Sequence, residues 1–478
     1  MAGMLNVAQA SATLRSLAEE PPLARLAEAF SAAGEELALV GGPVRDVFLG
    51  RSAVDLDLTT SARPDRILEI VEPIASTHWD IGRQFGTIGA RVAGETVEIT
   101  TYRADRYDGR TRKPEVAFGD SLEGDLHRRD FTVNALALRL PELKLVDPTG
   151  GLEDLLAGVL RTPAPAEESF GDDPLRMLRA ARFTSQLGFR VDDPAREAMA
   201  ALADRLEIVS AERVRDELVK LLSSDAPRAG LELLVDTGLA DRFLPELPAL
   251  RLTRDDQHRH KDVYEHSLTV LDQSIALEKE RAEPGAAPDV VGRLAALLHD
   301  IGKPATRRFE GGGVVTFHHH DVVGAKLATK RLRALRFDGD TIKAVARLIE
   351  LHQRFYGYAD ASWTDSAVRR YVRDAGDVLE RLHILVRADV TTRNRRKAAA
   401  LDAAYAGLEE RIAQLAAQEE LDAVRPDLDG EQIMRILGLR PGREVGEAYR
   451  FLLELRLDEG PLGPEEAERR LLSWWSGR

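Results

Sequence analysis

Two aspartates one residue apart, Asp55 and Asp57, sit in the alternating run Val54-Asp55-Leu56-Asp57-Leu58. In a strand, residues i and i+2 share a face, so the two carboxylates stand side by side while Val54, Leu56 and Leu58 face the core. Adjacent like charges are costly without a cation between them, and Mg2+ suits hard oxygen ligands completed by water and phosphate. Taken alone, such a pair is more often a solubilising strand edge. Upstream, however, Leu37-Ala38-Leu39-Val40 ends at Gly41-Gly42, and Pro43-Val44-Arg45-Asp46-Val47-Phe48-Leu49 reads as a helix start. Glycines after a strand let the backbone approach phosphate, a helix N-terminus supplies free N–H donors, and Arg45 adds a forked one. A phosphate-cradling turn just before a paired-carboxylate strand is far more specific than either element alone. Glu98, in Val97-Glu98-Ile99-Thr100, offers a third carboxylate; a solvated strand position is the other reading.

Gly41-Gly42-Pro43-Val44-Arg45-Asp46 with Asp55-Leu56-Asp57 resembles the signature of the class II nucleotidyltransferases of the polymerase-β-like superfamily, which includes tRNA CCA-adding enzymes and bacterial poly(A) polymerases. Arg128-Arg129-Asp130-Phe131-Thr132-Val133-Asn134-Ala135 resembles that family's ribose- and triphosphate-binding segment, implying nucleotide contacts at Arg129, Asp130 and Asn134. Asp172-Asp173-Pro174-Leu175-Arg176-Met177-Leu178-Arg179-Ala180-Ala181-Arg182-Phe183 resembles the helix that selects the incoming base, implying roles for Asp173, Arg176, Arg179 and Arg182. Asp172 stands where many relatives carry Glu. Asp173 and Arg176 are spaced to share a helix face, and as a plain surface pair would contribute only about 0.2–0.5 kcal/mol. As a base reader, Asp accepts from an exocyclic amine while Arg donates to a ring nitrogen or carbonyl, which favours C and A over U and G. The reaction would be attack of a 3′-hydroxyl on an α-phosphorus with loss of pyrophosphate, Mg2+ being held by Asp55 and Asp57. The polar, basic stretch from Tyr102 to Pro114 reads as a mobile loop. In the resembled family, a loop here accompanies addition of the final A.

A second set of residues has metal-ligand chemistry. His266, His299-Asp300, His320, His352 and Asp389 each stand at or beside an apolar helical stretch. A single such histidine is more often a hydrogen-bonded core residue than a ligand. The series resembles the full pattern of the HD phosphohydrolases, and imidazole with carboxylate suits a divalent transition metal. By that resemblance His266, His299, Asp300 and Asp389 hold one ion and His320 and His352 a second, bridged by Asp300, to activate water against a phosphoester. His320 is chosen from His318-His319-His320 by its spacing to Gly324.

The elements that must carry these groups follow from pattern. Strand-like alternation is confined to the first third, where Thr87–Val92, Thr96–Thr100 and Lys144–Val146 join the two runs above; beyond about residue 160 the apolar spacing is helical. The fold expected is α+β, a small mixed-sheet head of polymerase-β-like palm type followed by an elongated all-α remainder. Its divisions are an N-terminal extension at 1–25, a nucleotidyltransferase head at 26–160, and a helical neck at 161–250. An HD domain at 251–400 and a helical tail at 401–478 follow, the tail resembling that of bacterial CCA-adding enzymes.

The 478 residues carry 66 Lys+Arg against 80 Asp+Glu, a net −14 that argues against a wholesale basic nucleic-acid binder but leaves room for a local basic groove. Lys326, Lys330 and Arg331, and the Arg393–Lys397 run with Arg395, Arg396 and Lys397, are the densest basic stretches and candidate RNA contacts; each also fits a solvated helix face. Without cysteine there is no disulfide or thiolate chemistry, and no membrane-length apolar run or secretory leader is present, so a cytoplasmic location is expected. The expectation is template-independent CCA addition to tRNA from CTP and ATP. A poly(A) polymerase, an HD phosphohydrolase whose head only binds nucleotide, and a non-catalytic RNA-binding factor are the alternatives.

Overall fold

A computed structural model describes residues 4–52, 55–103, 118–253, 262–310, 314–355, 363–391, 394–419 and 425–478. Val54, the loop stretch 104–117 and Arg393 lie outside them. The chain is α+β and divides into two compact units, Met1–Phe243 and Leu244–Arg478.

The first unit is built on a seven-stranded sheet. Its strands are β1 (Leu37–Val40), β2 (Leu56–Thr60), β3 (Ala75–Trp79), β4 (Thr87–Val92), β5 (Glu95–Thr101), β6 (Ala137–Leu140) and β7 (Lys144–Val146), in the order β3-β4-β5-β2-β1-β6-β7. All neighbours are antiparallel except β2 and β5, which run parallel and place Asp57 opposite Glu98. β1 is buried at all four positions, as its continuous apolar run requires for a strand covered on both faces. Leu56 and Leu58 of β2 point into the core, leaving Asp57 on the other face.

The boundary expected at residue 25 falls inside a helix. Val7–Glu19 and Pro21–Ala32 are amphipathic, and Ala10, Leu14, Leu23, Leu26 and Phe30 are buried, so these residues belong to the head's packing and are not an appended extension. Beyond the sheet, helix Leu175–Leu187 packs against Ala211–Leu222 and Arg228–Asp236. Gly230 permits that crossing, since a Cβ there would lie 2.3 Å from the Ala181 carbonyl oxygen.

Among the described residues the second unit is helical save for two short paired strands, Arg308–Glu310 with Val314–Thr316, which the sequence pattern missed because three residues per strand are too few to show alternation. Helices Val263–Arg281, Val290–Leu298, His320–Ala334, Gly339–Leu351 and Leu379–Ala388 pack around one another. Gly302 sits where a Cβ would meet the His320 carbonyl oxygen at 2.0 Å, so glycine is what lets the turn after Asp300 touch the start of the His320 helix. The boundary expected at 400 also falls inside a helix, Arg395–Glu419. Helices Gly430–Leu437, Arg443–Glu459 and Pro464–Ser476 then close on their own core of Leu428, Ile433, Ala448, Leu452, Ala467 and Leu471. No helix among the described residues is long and apolar enough to cross a membrane.

Candidate active site and metal centre

β1 delivers the chain to Gly41, whose φ of +78° suits glycine and where a Cβ would stand 3.0 Å from Arg129 Nη1. Gly42 opens helix Gly42–Phe48. Beside this turn a cleft of about 490 Å³ is lined by Asp57, Glu98, Thr100, Arg103, Asp125, Arg128, Arg129, Asp130, Asp173, Arg176, Arg179 and Arg213. One cavity therefore joins the strand carboxylates to the Asp173–Arg176 segment.

Of the three acids that the sequence proposed, Asp57 and Glu98 line the cleft. β2 begins at Leu56, so Asp55 precedes the strand and is exposed, and the group beside Asp57 on the sheet is Glu98 across the parallel register. Burial and the Glu98 carboxylate, with a smaller push from Asp55, hold Asp57 above the ordinary carboxylate range, offset only in part by Arg129 and Arg179. Such a cluster of oxygens short of positive charge fits Mg2+.

Asp173 and Arg176 do not share a helix face either. Asp173 caps the end of Ala166–Asp172 in an extended conformation, Pro174 follows, and Arg176 lies in the first turn of Leu175–Leu187. Arg176 Nη1 donates to Ser169 Oγ at 2.7 Å and Nη2 to the Arg128 carbonyl at 2.6 Å, while Asp173 Oδ2 pairs with Arg213 Nη2 at 3.3 Å. Each is thus braced by a third group and not by its neighbour, which leaves an acceptor and a donor lining one cavity. Arg213, forty positions from Asp173 in the chain, gave no signal in the sequence. Asp125 was likewise missed; it is buried, accepts from the Arg103 N–H at 3.1 Å and pairs with Arg129 Nη2 at 3.4 Å.

Three residues expected to touch nucleotide point elsewhere. Arg45 is only 8% exposed, and its guanidinium is spent on Asp46 at 2.8 Å and Asn134 Oδ1 at 2.6 Å. Asn134 is buried between Arg45 and Asp130. Arg182 pairs with Glu217 at 3.3 Å in the interior and lies over the Phe183 ring. Their spacing is right, but they belong to the packing behind the cleft wall and not to its surface.

The candidate metal centre in the second unit is made almost wholly from helix ends. His299, Asp300 and His352 are the residues just after Val290–Leu298 and Gly339–Leu351, Asp389 follows Leu379–Ala388, His320 begins its helix, and His266 lies in the first turn of Val263–Arg281. His266, His299 and Asp389 form one ligand group and Asp300, His320 and His352 a second. His318 and His319 are exposed, whereas His320 is 5% exposed and points inward.

Three of the histidines donate Nδ1–H to the carbonyl three residues earlier: His299 to Ala296 at 2.8 Å, His320 to Phe317 at 2.8 Å and His352 to Ile349 at 2.6 Å. That hydrogen bond turns each Nε2 to the centre. Gln353 donates its amide to His320 Nε2 at 3.1 Å, as an acceptor nitrogen requires. His352 Nε2 is buried with no hydrogen-bond partner among the described residues, and burial together with the nearby His299 pushes that ring down to about 4. Against the cost of burial, the His299 and Lys303 charges hold Asp300 well below the usual carboxylate range; Lys303 Nζ lies 2.6 Å away and was missed although it stands three residues on. His266 Nε2 stands 2.9 Å from Asp389 and 3.3 Å from His299 Nε2. Converging imidazole lone pairs and buried carboxylates fit a divalent transition metal.

Of the basic stretches, Lys326, Lys330, Arg395, Arg396 and Lys397 are exposed, but Arg331 is held by both oxygens of Glu246 at 2.9–3.1 Å and is not free for phosphate.

Comparison with known proteins agrees with this layout. Residues 37–161 match the poly A polymerase head domain, 188–250 the probable RNA and SrmB-binding site of polymerase A, and 263–394 the HD domain. The chain is 36% identical over 450 residues to the A-adding tRNA nucleotidyltransferase of Deinococcus radiodurans, covering 92% of this chain and 95% of that one. It is 34% identical over 446 residues to the CC-adding tRNA nucleotidyltransferase of Thermus thermophilus, covering 92% and 93%. The fold is similar to that of the Bacillus stearothermophilus CCA-adding enzyme in complex with CTP, with a TM-score of 0.65 at 24% identity over 96% of this chain and 99% of that one. This chain belongs to the tRNA nucleotidyltransferase family, as an enzyme that joins a polymerase-type head and an HD domain in one polypeptide.

Proposed function

We propose that the enzyme completes tRNA 3′ ends by adding C, C and A from CTP and ATP without a nucleic-acid template. The observation that carries this reading is the single cleft with Asp57 and Glu98 in one wall and Asp173 and Arg176 in another. Arg129, Arg128 and Arg179 supply positive charge for the triphosphate between them. Asp173 accepts from the exocyclic amine that C and A share, and Arg176 donates to the adjacent ring atom, so U and G lose a bond and strand a buried polar group. Mg2+, when held by Asp57, Glu98 and Asp55, lowers the cost of charge on the attacking 3′-oxygen and the departing pyrophosphate. A tRNA substrate places the work in the cytoplasm, with the exposed Lys326, Lys330 and Arg395–Lys397 groups as phosphate contacts. Divisions at 26–160, 161–250, 251–400 and 401–478 are the working frame for the head, neck, HD and tail roles.

The HD centre is proposed as a metal-dependent phosphohydrolase site, the metal supplying an activated water when bound. A narrower reading of the cleft, addition of A alone or CC alone, is favoured by the names of two relatives that match along nearly the full chain. Offering tRNA that lacks the end, or ends in C or CC, with CTP, ATP or both separates these readings. Full CCA from both nucleotides supports the proposal; extension of only the CC-ended tRNA, with ATP alone, supports A addition; long A tails on generic RNA support the poly(A) reading.

A further inference from the structure

We propose that Asn134 is a positioning residue whose amide ties the phosphate turn to the base-selecting segment, a role that rests on the nucleotidyl-transfer reading of this cleft. Asn134 does not itself line the cavity. Its Oδ1 accepts from Arg45 Nη1 at 2.6 Å and its Nδ2 donates to Asp130 Oδ1 at 3.0 Å, with the side chain 6% exposed. The Phe131 N–H donates to the same Asp130 oxygen at 2.8 Å, which leaves Oδ2 to face Arg179 Nη2 at 2.7 Å. A chain of charge-assisted contacts thus runs Arg45–Asn134–Asp130–Arg179, from the helix after Gly41 to a guanidinium that lines the cleft.

The ring of Phe183 stands beside this chain. The guanidinium carbons of Arg45, Arg179 and Arg182 lie 5.3, 5.8 and 4.3 Å from its centroid, and Phe131 packs edge-on at 5.9 Å. Three cations around one ring need fixed counter-charges, which Asp46, Asp130 and Glu217 provide. Only a group that accepts on one side and donates on the other links Arg45 to Asp130 without adding charge, and a primary amide at this length does both. Remove it, and Asp130 keeps one backbone donor, so Arg179 loses its fixed seat at the cleft.

Asn134→Asp and Asn134→Ser test this. Aspartate keeps the acceptor for Arg45 but sets a second carboxylate against Asp130, in a surrounding of Arg45, Asp46, Arg176, Arg179, Arg182 and Glu217. At pH 8 both acids are charged, and the ATP dissociation constant should rise about tenfold. As the pH is lowered the crowded pair takes up a shared proton, the lost donor returns, and the deficit should shrink. Serine is too short to span both partners and should weaken ATP about fivefold whatever the pH, with circular dichroism unchanged. Unchanged ATP affinity in both variants overturns the proposal, as does a weakening in Asn134→Asp that does not shrink as the pH is lowered. Should Asn134→Asp fail to fold, the serine variant decides alone. ATP titration of the tRNA-free enzyme keeps the two claims apart: wild type that binds ATP but never extends tRNA defeats the reading of the reaction, not the role of Asn134.

Discussion

The cleft of the first unit and the metal centre of the second are both built from carboxylates and cations, yet they are assembled in opposite ways. At the candidate metal centre three of the four histidines are oriented by the carbonyl of their own preceding turn, at i−3, so local chain geometry aims those Nε2 atoms, while His266 is held by Thr391. In the cleft almost nothing is local. Asp57 meets Glu98 through a parallel register, Arg176 is braced by Ser169 and Arg128, and Asp173 by Arg213. A site aimed by helix ends tolerates distant change, whereas one aimed by tertiary contacts should respond to substitutions far from the chemistry.

The contrast is broken most forcefully at Asp57. Asp57→Asn should lower nucleotide incorporation by about a thousandfold or more, measured with labelled CTP and ATP, while metal content of the HD centre by elemental analysis stays at the wild-type level. The reciprocal change, His299→Ala, should abolish the rise in melting temperature that added Mn2+ or Ni2+ gives wild type, and leave incorporation within about twofold. Arg213 lines the cleft and braces Asp173; Arg213→Ala should reduce the preference for CTP over UTP by about tenfold with less effect on turnover.

A smaller effect concerns stability and pH. Against the cost of its burial, Arg179 and Asn134 hold Asp130 below the ordinary carboxylate value in the folded chain. A depressed folded value adds stability above the unfolded value of about 4, lost as pH falls through the folded one. The destabilisation caused by Asp130→Asn should therefore be largest near neutral pH and fade below about pH 4 in denaturant titrations. Smallest of all, Lys326→Ala with Lys330→Ala should weaken tRNA binding a fewfold and flatten its salt dependence by about one to two ions.

The same contrast explains what could be read from the chain. The six candidate ligands that the structure brings together, with His320 turned inward where His318 and His319 are exposed, lay in short motifs at helix ends. The glycine turn, β1, β2 and the closing strand β7 were legible for the same reason, since apolar alternation and Gly punctuation are local signals. The identity of the second cleft carboxylate was blurred because Asp55 lies just outside β2, and register cannot be seen in one strand. Arg45 and Arg182 stood in the right motifs yet turn into buried ion pairs, a choice made by packing around Phe183 that spacing does not record. Residues 7–25 carry no motif, yet the burial of Ala10, Leu14 and Leu23 ties them to the head.

Sequencing the 3′ ends of end-trimmed tRNA after incubation with all four nucleotides tests the central claim in one reading. Wild type should add CCA and stop, Asp57→Asn should add nothing, and Arg176→Ala should add a mixture in which U and G appear. CCA ends made by Asp57→Asn, or unchanged base choice in Arg176→Ala, would contradict the account.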